Sequence, residues 1–208
     1  MKKRHEIHDC KVTLIGDSGV GKSSIIGRYV TGIFMENDSS TAGANFTQKT
    51  FEKDGKKVRL NIWDSAGQER YRALGQNFYK DSYIICIVYD VTSKQSFKNI
   101  KEMWHPDVLK YGEKYHIISI VGNKCDKYEM EEVTEEEAQS YAEEIKAKFF
   151  LVSALNGNGI DRMFQTLAEE FLNPEFKENI NSERQLMNSF ELNKDHFKKK
   201  KKNNNKCC

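Results

Sequence analysis

The sequence predicts an α/β fold, a doubly wound and mostly parallel sheet carrying one hairpin, and three observations predict it. Apolar strand runs alternate with helical patterns along most of the chain. Two of those runs, Tyr83–Tyr89 and Ile117–Val121, are apolar throughout save for Ser119, as expected of central strands covered on both faces. Asp54-Gly55 separates two strand-like segments and has the residue types that a two-residue hairpin turn demands.

Taken in order, Val12–Ile15 is a short buried strand ending at Gly16, and Lys22–Thr31 is a helix with Ile25, Ile26, Tyr29 and Val30 on its apolar side. Residues 34–44 are polar and read as an exposed loop. Phe46–Lys53 and Lys56–Trp63 are the hairpin arms, and in the second Val58, Leu60 and Ile62 alternate with Lys57, Arg59 and Asn61. Thr134 followed by Glu137 opens a helix as a capping box. Phe149–Val152 is the last strand, and Gly157–Leu172 the closing helix, with Ile160, Met163, Phe164, Leu167, Ala168 and Phe171 at helical spacing.

With 208 residues the chain has room for one well-buried domain and an arm. The expected division is a flexible N-terminus over 1–9, a domain over 10–172, and a disordered arm over 173–208 that is rich in Asn and Lys. Residues 1–9 have no apolar signal-peptide core, and no run of eighteen apolar residues exists, so a cytosolic protein without a membrane span is expected. The net charge is +2. The arm holds nine basic and five acidic residues, a net +4, which leaves −2 on residues 1–172 and argues against a nucleic-acid-binding body. Cys10, Cys86 and Cys125 are scattered singly and read as small reduced core residues. Cys207 and Cys208 are adjacent, which suits neither a disulfide nor a metal site.

The chemistry begins at Gly16-Asp-Ser-Gly-Val-Gly-Lys22-Ser23, which follows a strand and opens a helix. This is the phosphate-loop pattern. Successive N–H groups over Asp17, Ser18, Gly19, Val20, Gly21, Lys22, Ser23 and Ser24 would converge on phosphate oxygens. Lys22 would reach the outer phosphates and the Ser23 hydroxyl would ligate magnesium. At the end of the second hairpin arm, Asp64 could hold a magnesium-bound water, and Gly67 lets an N–H approach a terminal phosphate. Asn123-Lys124-Cys125-Asp126 follows the Ile117–Val121 strand. There Asp126 could accept both guanine N1–H and N2–H₂, a pairing that adenine cannot offer. Asn123 would brace the loop, the Lys124 stem would lie along the base, and Ser153-Ala154 would offer a backbone N–H to guanine O6.

These residues resemble the Ras superfamily of small GTPases over about 10–172. Trp63-Asp-Ser-Ala-Gly-Gln-Glu-Arg-Tyr71, Tyr89-Asp-Val-Thr92 and Cys207-Cys208 are similar to the Rab branch. Gly43-Ala-Asn-Phe46 and Arg72-Ala-Leu-Gly75 lean toward its early-endosomal members. The resemblance implies a P-loop small G-domain with a six-stranded sheet, one antiparallel hairpin strand and helices on both faces. It implies that Thr41 ligates magnesium when the γ-phosphate is present, that Phe34 packs on guanine, and that Gln68 orients the attacking water. Switch segments over about 34–47 and 64–79 would report the nucleotide state, and no arginine supplied in cis is evident.

The partners so implied are GTP or GDP, an exchange factor, an activating protein, a prenyl carrier, and effectors that read Phe46, Trp63 and Phe78. Half-buried sheet aromatics are an equal reading of Phe46 and Trp63. Cys207 and Cys208 would be prenylated, and Lys198–Lys202 with Lys206 would add attraction to an anionic membrane. The body is expected to be monomeric.

The chain departs from the Rab pattern at Ser65, Phe78, Ala42 and Leu155, the last standing where the usual motif has Lys. Leu155 could lower guanine affinity. Trp104-His-Pro-Asp-Val108 is similar to the Rho branch, the runner-up, and Pro106 should kink or interrupt its helix. A nucleotide-locked or weakly binding scaffold, in which the fold persists without turnover, is the alternative from another functional class. The histidines show no partners in sequence.

Overall fold

The computed structural model describes residues 7–34, 44–65, 79–112, 116–180 and 182. Their elements run β1 (Ile7–Ile15), α1 (Lys22–Thr31), β2 (Ala44–Lys53), β3 (Lys56–Ser65), β4 (Ile84–Asp90), α2 (Lys94–Asn99), a π turn (Ile100–Trp104), α3 (His105–Tyr111), β5 (Ile117–Asn123), a 3₁₀ turn (Cys125–Met130), α4 (Glu135–Glu144), β6 (Lys148–Leu151) and α5 (Ile160–Leu172). The six strands form one sheet in the order β2-β3-β1-β4-β5-β6. Only the β2–β3 pair is antiparallel, and its connection is the Asp54-Gly55 turn, with φ of 51° and 73°. Both values are positive, which a type I′ turn needs and few other residue pairs tolerate.

β4 lies at the centre, and all seven of its side chains are buried. On one face Ile85, Ile87 and Tyr89 pack with Phe97, Ile100, Trp104, Val108, Ala138 and Tyr141 from the π turn and helices α2 to α4. Phe97 holds that layer together: its ring meets Tyr89 at 4.9 Å and Tyr141 at 6.0 Å. Each such pair adds about 0.5–1.5 kcal/mol beyond the area it buries. On the other face α1 and α5 meet through stacked Tyr29 and Phe164 rings, 3.9 Å apart. Thr134 caps α4 by accepting the Glu137 N–H at 3.2 Å.

Four sequence expectations are corrected. Residues 7–9 are not a flexible terminus but the start of β1, because Ile7, His8 and Asp9 pair in parallel with Lys57, Val58 and Arg59 of β3. Val30 is exposed, whereas the apolar residues Ile25, Ile26 and Tyr29 of its helix are buried. Cys125 is only half-buried, because it lies in the 3₁₀ turn outside the sheet, whereas Cys10 and Cys86 are buried.

The fourth correction concerns the arm. The chain divides into two units, Met1–Phe171 and Leu172–Cys208. Within the second, residues 174–180 are helical where disorder was expected. The Asn173 side chain caps this helix by accepting the Glu175 N–H at 3.0 Å, and Pro174 occupies the first helical position, where its missing N–H costs nothing.

The interruption expected at Pro106 is present as the π turn. Pro106 cannot donate to the carbonyl four residues back, and one residue earlier the His105 N–H bonds Ile100 O in a five-residue step. Widening the helix just before the proline accommodates it without ending the segment.

Candidate nucleotide site

The segments that carry chemistry all leave the sheet at its carboxyl edge, where open α/β sheets bind ligands. β1 delivers the phosphate loop. β3 delivers Asp64, in register with Leu14, and β5 delivers Asn123, in register with Asp90. Residues 153–155 follow β6.

Within the phosphate loop Val20 is buried while Ser18 and Gly19 are exposed. Lys22 opens α1, and its ammonium, almost wholly buried, donates to the carbonyls of Gly16 and Asp17 at 2.8 Å each. Burial lowers its pKa to about 8, against the opposing pull of Asp64 and Asp17. A buried cation held by two neutral carbonyls is poised to bond an anion.

Ser23 donates to Asp64 Oδ2 at 2.5 Å. Asp64 Oδ1 is buried and has no hydrogen-bond partner among the described residues. Desolvation raises the Asp64 pKa, partly offset by Ser23 and Lys22. A carboxylate with one oxygen unmatched beside a serine hydroxyl is the donor set a hard divalent cation with retained waters needs. Magnesium therefore fits these residues. Ser65, standing where the family has Thr, uses its hydroxyl inward, donating to Leu14 O at 2.7 Å.

The base-side loops are tied together through Asn123. Its Nδ2 donates to Val20 O at 2.8 Å, and its Oδ1 accepts the Ala154 N–H at 3.1 Å. One buried amide thus joins the phosphate loop to both base-side loops, the bracing role expected of it. Gly21 lies so close that an added Cβ would stand 2.3 Å from Asn123 Nδ2, and its φ of 93° is left-handed as well. Asp126 accepts from the Ser153 hydroxyl at 2.5 Å.

Two supports were given no role by the sequence, although Asp90 lies within the Tyr89–Thr92 segment. Asp90 forms a 2.6 Å ion pair with Lys124, whose backbone is left-handed at φ 67°. Burial would raise the Asp90 pKa, but hydrogen bonds from Lys124 and Thr92 bring it below the usual carboxylate value. Arg28 donates to the carbonyls of Ala154 (2.9 Å), Leu155 and Gly32 (2.7 Å), fixing the last base loop from α1. Leu155 is bound there through its backbone while its side chain is exposed. The loop anchor is therefore indifferent to the lysine it replaces.

Phe34 is half-buried, as is Ser24. Phe46 and Trp63 are cross-strand neighbours with ring centroids 5.0 Å apart, and Phe46 is half exposed. Thr41, Ala42, Gly67, Gln68, Phe78, Lys198–Lys202, Lys206, Cys207 and Cys208 lie outside the described residues.

A phosphate loop, a magnesium-suited Ser–Asp pair and a base loop ending in Asp126, set along one sheet edge, define a P-loop nucleotide-binding protein. The Ras family profile matches residues 11–173. The chain is 41% identical over 162 residues to the Ras-related protein RabC of Dictyostelium discoideum, covering 77% of this chain and 82% of that one. To human Ras-related protein Rab-22A it is 40% identical, covering 76% and 81%, and to the GTP-binding protein YPT1 of Saccharomyces cerevisiae 38%, covering 84% of each. The chain belongs to the Ras family, as a Rab-type small GTPase.

Proposed function

We propose that this GTPase is a membrane-anchored switch that cycles between GTP and GDP to regulate vesicle traffic, with slow intrinsic hydrolysis. The observation that carries the reading is the Asn123 amide bridging Val20 and Ala154, because it makes the phosphate and base subsites one rigid cradle. Lys22, already stripped of water, binds the outer phosphates. Asp126, oriented by Ser153, takes the guanine edge. Ser23, Thr41 and, through water, Asp64 would hold magnesium, which when bound would supply neutralisation of the phosphate charge. Gln68 orients the attacking water, which displaces GDP from the γ-phosphoryl group in line.

Without an arginine supplied in cis, turnover is expected near 10⁻⁴ per second, about the intrinsic rate of such enzymes, until an activating protein supplies one. The resting state is then set by partners: an exchange factor, an activating protein, and effectors that read the switches with Phe46, Trp63 and Phe78. Attachment to the cytoplasmic face of an intracellular membrane rests on prenylation of Cys207 and Cys208, assisted by Lys198–Lys202 and Lys206, with a carrier maintaining a cytosolic pool. Among the described residues no helix is long and apolar enough to cross a membrane, which is consistent with a peripheral protein.

Two measurements test this. Phosphate release from GTP by the full chain should be slow and magnesium-dependent, and should fall further in Gln68→Leu; release that ignores magnesium removes the switch reading. Tagged protein should localise to membranes and become diffuse when Cys207 and Cys208 are both changed to Ser. A diffuse signal in both forms removes the anchor.

A further inference from the structure

The Asp17 carboxylate of the phosphate loop is gripped from outside the loop. Asn99 Nδ2 donates to its Oδ2 at 2.6 Å and Trp104 Nε1 to its Oδ1 at 2.7 Å. Asn99 ends α2 and Trp104 ends the π turn. The Asn99 amide is itself oriented by Gln95, whose Nε2 donates to Asn99 Oδ1 at 2.8 Å. At the other end of the chain of bonds, the Asp17 carbonyl accepts from the Lys22 ammonium at 2.8 Å.

The π turn is what allows two donors to share one carboxylate. In a regular α-helix, residues five apart lie about 140° apart around the axis. Here the turn closes on the fifth residue through the His105 N–H to Ile100 O bond, which brings Asn99 and Trp104 toward one side. π turns of this kind are frequently found at functional sites. The Trp104-His-Pro106 motif, which separates this chain from the Rab pattern, therefore has a local purpose: the proline accompanies the widening that sets the tryptophan.

We propose that Asn99 and Trp104 are positioning residues for nucleotide retention, holding the phosphate loop in its binding shape through Asp17. This rests on the guanine-nucleotide reading above. An unrestrained carboxylate in the loop would add a mobile negative charge beside the phosphates and free the carbonyl that helps fix Lys22. Two neutral donors with charge-assisted bonds prevent both. The α2 to α3 segment thus becomes a handle on nucleotide release.

The test loads the full chain with a fluorescent GDP analogue and follows its release in excess unlabelled GDP. Asn99→Ala and Trp104→Phe, the second keeping the ring and removing its N–H, should each speed release about tenfold, the scale of one hydrogen bond to a charged group. In an Asp17→Ala background neither change should add more than about twofold, since the shared partner is gone. That coupling is what a merely structural role would not produce. Asn99 is half-buried, so Asn99→Ala carries the test if Trp104→Phe misfolds. Unchanged release rates, or effects that persist fully without Asp17, overturn the proposal while leaving the nucleotide reading intact. Wild-type protein that retains no analogue overturns that reading and the proposal with it.

Discussion

Ser23 and Asp64 stand 41 positions apart in sequence, yet the serine hydroxyl donates to Asp64 Oδ2 at 2.5 Å while Asp64 Oδ1 is left without a partner among the described residues. The pairing arises because the parallel β1–β3 register brings Asp64 opposite Leu14, just before the loop that delivers Ser23. Ser23→Asn should therefore weaken magnesium and, with it, GTP more than GDP. Titration of both nucleotides with and without magnesium checks this, and equal losses would contradict it.

The Asn123 bridge makes a different prediction. Asn123→Ala leaves the Ala154 N–H and Val20 carbonyl without their partner, and both bonds are buried. Urea unfolding should show a loss of about 2–4 kcal/mol, the cost of two buried groups left unmatched. Gly21→Ala attacks the same contact from the other side, through steric conflict and a left-handed φ. Nucleotide affinity should fall in both variants, whereas a substitution at exposed Leu155 should leave stability unchanged.

Base selectivity should reside in Asp126. Wild-type protein should prefer GDP to IDP, which lacks the 2-amino group, by the value of one charge-assisted hydrogen bond, about tenfold or more. Asp126→Ala should bring the two affinities together. Preserved discrimination in that variant would place selectivity elsewhere.

His105 gives the fold a pH dependence away from the site. Its Nδ1 lies 3.0 Å from the Tyr141 hydroxyl, and burial first, then nearby His116, lowers its pKa below 6.5 despite the opposing Glu144. The folded state thus holds this proton less well than the unfolded chain, so stability should fall as pH drops below 6.5. Thermal unfolding of His105→Gln should show a smaller loss over the same range.

The sheet and most of the site were legible because their signals are local. Apolar runs, broken only by Ser119, marked β4 and β5, Asp54-Gly55 marked the hairpin, and the motif residues followed strand ends. What escaped was set by tertiary pairing. Ile7–Asp9 look like a charged terminus, but backbone bonds to β3 make them strand. His105 finds its partner, Tyr141, 36 positions away. Arg28 and Asp90 lie in ordinary helix and strand-end contexts, and only the folded loops show what they hold. The helix at 174–180 is a different kind of miss, since Asn173-Pro174 is a local cap signal that a charge-rich composition obscured.

The central claim, that this chain is a guanine-nucleotide switch, is tested most directly by what the purified full-length protein carries. Denaturation in EDTA followed by chromatography of the released small molecules should yield close to one guanine nucleotide per chain, chiefly GDP. Protein that releases none, and cannot be loaded with GTP in the presence of magnesium, would contradict it.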